Sequence, residues 1–149
     1  MTMDRRTFVM GTALTAAAST RVWGANDRPR IAIVGPGTQG RGLLRRFLSD
    51  AEAANAEMVA VCDLWTKRRD EAAAQVKEAT GREPQKLQYY ADVLQTKDLD
   101  GVILATPDHQ HARQLVMAVE AKKDVFCEKP MGNVSVSYTH LTLPTIYSV

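Results

Sequence analysis

Three glycines, an acid and a short charged turn are the residues of this chain whose spacing suits chemistry. Gly35, Gly37 and Gly40 stand as G-x-G-x-x-G inside "IVGPGTQGRG". In such a turn the first glycine permits the tight bend. The second lets backbone approach an anion where a Cβ would collide, and the third lets the following helix pack closely. The helix start then offers free N–H groups and a positive dipole end to a phosphate. Pro36 lacks an N–H, at a position the pattern leaves free. "MVAVCDLW" places Asp63 after a second apolar run, close to the interval of about 20 residues at which a carboxylate meets ribose hydroxyls in a dinucleotide site.

A carboxylate there repels a 2′-phosphate and favours NAD over NADP. Lys67, Arg68 and Arg69 lie just downstream and soften that preference. Both features also have a plainer reading: Asp63 as a helix N-cap, the basic trio as a solvated first helical turn. Near the other end, "CEKP" sets Glu128 and Lys129 at the close of an apolar run. At a strand end, a lysine can hydrogen-bond a reacting hydroxyl and assist proton transfer; the alternative is an exposed lysine paired with Glu128. Pro130 fixes the following turn and allows a cis bond. His109 and His111 form H-x-H, but helical positions two apart do not share a face. No third ligand accompanies them, so no metal site is expected. One of the two is expected to contact nucleotide or substrate, or to be a first-turn polar residue.

These residues need a frame to bring them together. Ile31 to Val34 is a continuous apolar run, the mark of a parallel strand buried on both faces. Leu43, Leu44, Phe47 and Leu48 follow at helical spacing. Met58 to Cys62 is the second strand. Thr66 to Thr80 is a helix with Ala72, Ala73, Val76 and Ala79 on one face, stopped by Gly81 as its cap. "LQYYADVLQTKDLDG" reads as a short strand, a short helix opening near Asp92, and a turn, with Tyr89 and Tyr90 as packing residues. "GVILAT" is a fourth strand. Pro107 opens a helix reaching Ala121, with Ala112, Leu115, Val116 and Val119 toward the sheet. Val125 to Cys127 is the last strand. Strands alternating with helices predict a doubly wound parallel α/β sheet of Rossmann type. Ligands of such sheets bind at the carboxyl ends of the strands, where every residue singled out above falls.

The 149 residues are 45% hydrophobic and 24% charged, a globular balance that argues against disorder. A net charge of +2 is too small to imply a nucleic-acid partner. Cys62 and Cys127 close strands two and five. At three strand spacings, about 14 Å, they are too far apart for a disulfide, and both are expected as buried thiols. The first 25 residues read as an address: Arg5-Arg6, an apolar stretch from Phe8 to Ala18, and small-residue cleavage options at Ala16–Ala18 and Val22–Gly24. "DRRTFVM" resembles a twin-arginine export signal, with an amphipathic or disordered tail as the alternative. That stretch is too short to span a bilayer, and no membrane association is expected after cleavage. The route carries folded proteins. A cofactor acquired before export would travel bound, so tight binding and an exported, periplasmic location are expected.

The set "GPGTQG", "CD" at 62–63, "ATPDHQH" at 105–111 and "CEKPMG" at 127–132 resembles the nucleotide domain of the Gfo/Idh/MocA oxidoreductases, over roughly Arg30 to Gly132. The resemblance implies an enzyme that binds NAD(P) and oxidises a hydroxyl of a sugar, inositol or related polyol. It also implies a homo-oligomer with a second, α+β substrate domain. Carried onto this chain, Gly35, Gly37, Thr38, Gln39, Gly40 and Asp63 look like the nucleotide grip. Thr106, Pro107 and His111 look like contacts near the ribose and nicotinamide. Glu128 and Lys129 look like the active-site edge, with Lys129 catalytic. Relatives that use the same hydride step to cleave glycosidic bonds make an NAD-dependent glycosidase the second reading. A nucleotide-binding module without turnover is the third.

The expected organisation is a signal segment at 1–25, an incomplete nucleotide domain at 30–134, and a tail at 135–149. The tail "SVSYTHLTLPTIYSV" has no helical period, and "VSYTHLTLPT" within it resembles an in-frame translation of a sequencing adapter. On that reading the tail is not the protein's own sequence; the alternative is a genuine edge strand. The substrate domain is expected to be missing, so the chain as it stands is expected to bind nucleotide without turnover.

Overall fold

The computed structural model describes residues 28–133; the expected export signal and the tail lie outside the described residues. The elements run β1 (Arg30–Val34), α1 (Thr38–Asp50), β2 (Glu57–Cys62), α2 (Thr66–Thr80), β3 (Gln85–Leu87), α3 (Tyr90–Leu94), β4 (Gly101–Leu104), α4 (Asp108–Glu120) and β5 (Asp124–Cys127). The five strands form one sheet in the order β3-β2-β1-β4-β5, and every neighbouring pair is parallel. The chain starts in the middle and winds outward first one way, then the other. The reversal beside β1 is the switch point where such sheets open a crevice.

The alternation of side chains along each strand builds two cores. Ala32, Val34, Val102 and Leu104 face one side, under Val93 of α3 and Ala118 of α4. Ile33, Val61 and Ile103 face the other, under Leu44 of α1 and Ala72, Ala73 and Val76 of α2. Burial on both faces is why these strands read as unbroken apolar runs. Among the described residues no helix is long and apolar enough to cross a membrane.

The bounds of α2 agree with its apolar period, and Gly81 ends it at φ 72°, donating its N–H to the Lys77 carbonyl at 2.8 Å. Several local expectations need correction. Ala79 is exposed, one turn beyond Val76, the last buried residue of its face. The third strand lies earlier than "LQYY", because its register with Ala60–Cys62 runs out at Leu87. Tyr90 instead opens α3, and its hydroxyl donates to the Gln114 carbonyl at 2.8 Å, while Tyr89 is 57% exposed. On α4 the buried residues are His111 and Ala118, with Leu115 packed against the same core. These three are related by i, i+4 and i+7. Val119, one step further round, is 52% exposed. Cys62 is buried but Cys127 only half-buried, because β5 is an edge strand. Both are free thiols.

Candidate functional site

The loops after β1, β2 and β4 frame a cleft of about 660 Å³. Gly35, Gly37, Thr38 and Gln39 form its wall on the β1 side; Asp63, Leu64 and Arg68 face them from β2; Thr106, Pro107 and His109 close it after β4. A groove of about 600 Å³ lies toward the opposite ends of the strands, lined largely by apolar side chains such as Leu43, Phe47, Ile103 and Phe126. It brings together none of the residues whose spacing suits chemistry.

The three glycines differ in what demands them. Gly35 sits at φ 77°, and a Cβ on it would lie 2.9 Å from the backbone of Thr106. A Cβ on Gly40 would lie 2.5 Å from the Gly35 carbonyl oxygen and 3.2 Å from Ala105 Cβ. The protein's own packing therefore requires both. Gly37 has an ordinary φ of −72°, and the nearest atom to a Cβ there is Arg68 Nη1 at 3.6 Å. Nothing within the fold asks for glycine at 37. Its bare side faces the cleft, as backbone must where a pyrophosphate approaches. No side chain caps α1, and its first turn holds no acid, so the positive helix end opens on the same space.

Asp63 lies at the cleft with one oxygen in use: Oδ1 accepts the Trp65 N–H at 2.8 Å. Trp65, not Asp63, holds the N-cap position of α2, so the plain capping alternative is not what the structure shows. The basic trio divides. Lys67 is solvated. Arg69 folds back, donating to the Asp63 carbonyl at 3.1 Å. Arg68 lies 5.0 Å over the Trp65 ring and leans toward Gly37. A cation and a carboxylate thus both line the β2 side of the cleft, at the expected ribose end.

After β4, Thr106 supports Gly35 from below and its hydroxyl donates to Gln114 Oε1 at 2.6 Å. Pro107 is exposed at the N-cap position of α4. Of the two histidines, it is His109 that lines the cleft. The expected direct contact by His111 is corrected. His111 is 2% exposed, and both ring nitrogens lie 2.7 Å from backbone carbonyls, those of Thr106 and Pro130.

After β5, Glu128 Oε1 accepts from Gln39 Nε2 at 2.9 Å, and Oε2 accepts the Lys129 N–H at 3.2 Å. The Gln39 amide holds the Glu128 carboxyl below the usual carboxylate range, helped by the Lys129 N–H. Glu128 and Lys129 form no side-chain ion pair among the described residues; the exposed ammonium stays apart, and the Lys129–Pro130 bond is cis. Beneath the cleft, burial pushes the Cys62 thiol up to about 12, with the neighbouring Asp63 charge adding to it. Sequence reading missed Leu64, Gln88, Gln110 and Gln114 as cleft residues, and Tyr89 and Tyr90, expected as packing residues, also line the cleft. Nothing marks Gln114 within α4, but a large apolar residue directly after a strand-ending acid, 71% exposed at Leu64, is a signal that was open to reading.

The family model for oxidoreductases with an NAD-binding Rossmann fold, Gfo/Idh/MocA, matches residues 29–140. The chain belongs to the Gfo/Idh/MocA oxidoreductase family. Among its relatives is a glycosyl hydrolase family 109 protein of Stenotrophomonas maltophilia, 31% identical over 87% of this chain and 30% of the relative. Another is the inositol 2-dehydrogenase of Salmonella typhimurium, 37% identical over 69% of this chain and 29% of the relative. Among solved structures, the WlbA dehydrogenase of Bordetella pertussis in complex with NADH and UDP-GlcNAcA aligns with a TM-score of 0.62 and 25% identity, over 77% of this chain and 33% of that one. The chain thus spans about a third or less of the length of these similar proteins.

Proposed function

We propose that this chain is the nucleotide-binding part of an NAD(P)-dependent oxidoreductase acting on a hydroxyl of a sugar, inositol or related polyol. The carrying observation is Gly37: a glycine that the fold does not need, bare toward a cleft that also holds a helix N-terminus, Asp63 and Arg68. Gly35, Thr38, Gln39 and Gly40 shape the phosphate turn. The free oxygen of Asp63 takes the ribose hydroxyls and favours NAD, while Arg68 leaves room for NADP. Thr106 and Pro107 wall the nicotinamide end. A bound nicotinamide supplies the hydride acceptor. Lys129, exposed at the end of β5, would hydrogen-bond the reacting hydroxyl and carry its proton. The named activities of the inositol dehydrogenase and WlbA relatives support this substrate class.

A second reading is an NAD-dependent glycosidase, favoured by the glycosyl hydrolase relative, which matches the larger share of this chain. Hydride transfer belongs to the longer protein in either case, and this chain alone is proposed to bind without turnover. Arg5-Arg6 and the stretch that follows support export with the cofactor bound; replacing both arginines by lysine in a reporter fusion should block it. The longer protein, assayed with polyols, sugars and nucleotide sugars for NAD reduction and with chromogenic glycosides for cleavage, separates the two readings. Activity on neither class refutes both.

A further inference from the structure

Of the described polar side chains only Thr96 and His111 are buried. An imidazole is buried at a cost unless its nitrogens are bonded. Those of His111 are met in an unusual way: each faces a carbonyl oxygen, which only accepts, and the two oxygens belong to different loops. Thr106 follows β4 and Pro130 follows β5, and the ring spans them with 2.7 Å on each side. A neutral ring donates to one carbonyl, and the doubly protonated ring donates to both. A second tie, Gln39 to Glu128, fixes the same turn to the first turn of α1 at 2.9 Å. Lys129 stands between the two ties, with Glu128 held on one side and Pro130 on the other, while its own ammonium is exposed.

The geometry points to His111 as a positioning residue: by spanning the Thr106 and Pro130 carbonyls it holds the turn of Lys129 against Gln39 of the nucleotide cleft. This rests on the nucleotide reading above and assigns His111 a role other than cofactor contact. The ring is buried, both nitrogens face backbone carbonyls, and His109 takes the cleft position. Loss of the tie should therefore free Lys129 while leaving the phosphate turn, which contains no part of His111, able to bind.

The test compares the unsubstituted chain with His111→Phe, which keeps a ring of similar bulk and removes both bonds. NAD affinity is read by calorimetry, stability by melting temperature, and the acylation rate of Lys129 by mass spectrometry with and without NAD. At about ten times Kd, mass action leaves about a tenth of the chains free, so NAD should slow Lys129 acylation about tenfold in the unsubstituted chain. In His111→Phe, NAD should still bind but no longer shield Lys129. Equal shielding in both chains overturns the inference, as does saturation of the unsubstituted chain without shielding. Parallel loss of stability, affinity and shielding would show a merely structural histidine and also overturns it. Failure of NAD to bind the unsubstituted chain refutes the nucleotide reading instead. Whether or not NAD binds or the variant folds, a second measurement on the nucleotide-free chain decides the positioning role. At a pH low enough for the ring to carry both protons, NMR couplings through the hydrogen bonds should link the ring nitrogens to the carbonyl carbons of Thr106 and Pro130. Absence of the Pro130 coupling refutes it.

Discussion

Gln39 and Glu128 are 89 positions apart in the chain and share a hydrogen bond of 2.9 Å. That bond ties the first turn of α1 to the end of β5, and so the phosphate turn to the segment that carries Lys129. It also keeps the Glu128 carboxyl ionised to lower pH than in an unfolded chain. A carboxyl with a depressed folded pKa adds stability above its unfolded value, about 4.3, and loses it as pH falls through the folded value. Gln39→Ala should therefore remove part of the stability that the chain loses between about pH 6 and pH 3, an effect below about 1 kcal/mol at so accessible a pair. The other depressed carboxyl among the described residues, Glu83, depends on Lys77 and is untouched by this change. Urea unfolding of both chains at the two pH values measures the difference; identical pH slopes would contradict it.

The glycines should separate folding from binding. Gly35→Ala meets both a left-handed φ and the Thr106 backbone, and Gly40→Ala meets the Gly35 carbonyl. Each should cost about 1–3 kcal/mol of stability. Gly37→Ala meets nothing closer than 3.6 Å and should change stability by less than about 0.5 kcal/mol, yet weaken NAD binding. Urea unfolding paired with calorimetry tests all three. A Gly37→Ala chain as destabilised as the other two would show that the fold, not a ligand, requires that glycine.

Cofactor preference should follow the two charges on the β2 side of the cleft. Asp63→Asn should weaken NAD binding about tenfold, the loss of a charged acceptor to the ribose hydroxyls, and should weaken NADP less. Arg68→Ala should act the other way, reducing NADP affinity more than NAD. Calorimetric titration of both nucleotides into both variants gives the four numbers. Equal effects on the two nucleotides would remove these residues from the ribose end.

Cys62 should be inert in the folded chain. Its thiol is buried and pushed up to about 12, so almost none is thiolate near pH 8. Iodoacetamide at that pH should modify the half-buried Cys127 first, and Cys62 only on unfolding. Peptide mapping after timed labelling reads this, and equal rates would contradict the burial of β2.

Much of this fold was legible because the central strands β1, β2 and β4 are largely buried on both faces, and Gly35 and Gly81 stand at breaks between periods. The apolar runs at Ile31–Val34 and Met58–Cys62 and the helix at Thr66–Thr80 could be read from pattern alone. What pattern did not reveal was rotational and long-range. A shift of one residue around α4 exchanged the expected Val119 for the buried Ala118, because apolar residues crowd that helix on more than one side. His111 carried a polar letter in a first turn, and only the return of β5 beside β4 supplied the second of the two carbonyls that enclose it. Arg68 looked like one of three solvated cations until the turn after β2 placed it opposite Gly37.

The most direct measurement is calorimetric titration of NAD into this chain and into Gly37→Val, with the melting temperature of each recorded. One NAD should bind per unsubstituted chain, and the variant should fold but fail to bind. A folded unsubstituted chain that takes up no NAD, or a Gly37→Val chain that binds it equally well, would contradict the nucleotide site.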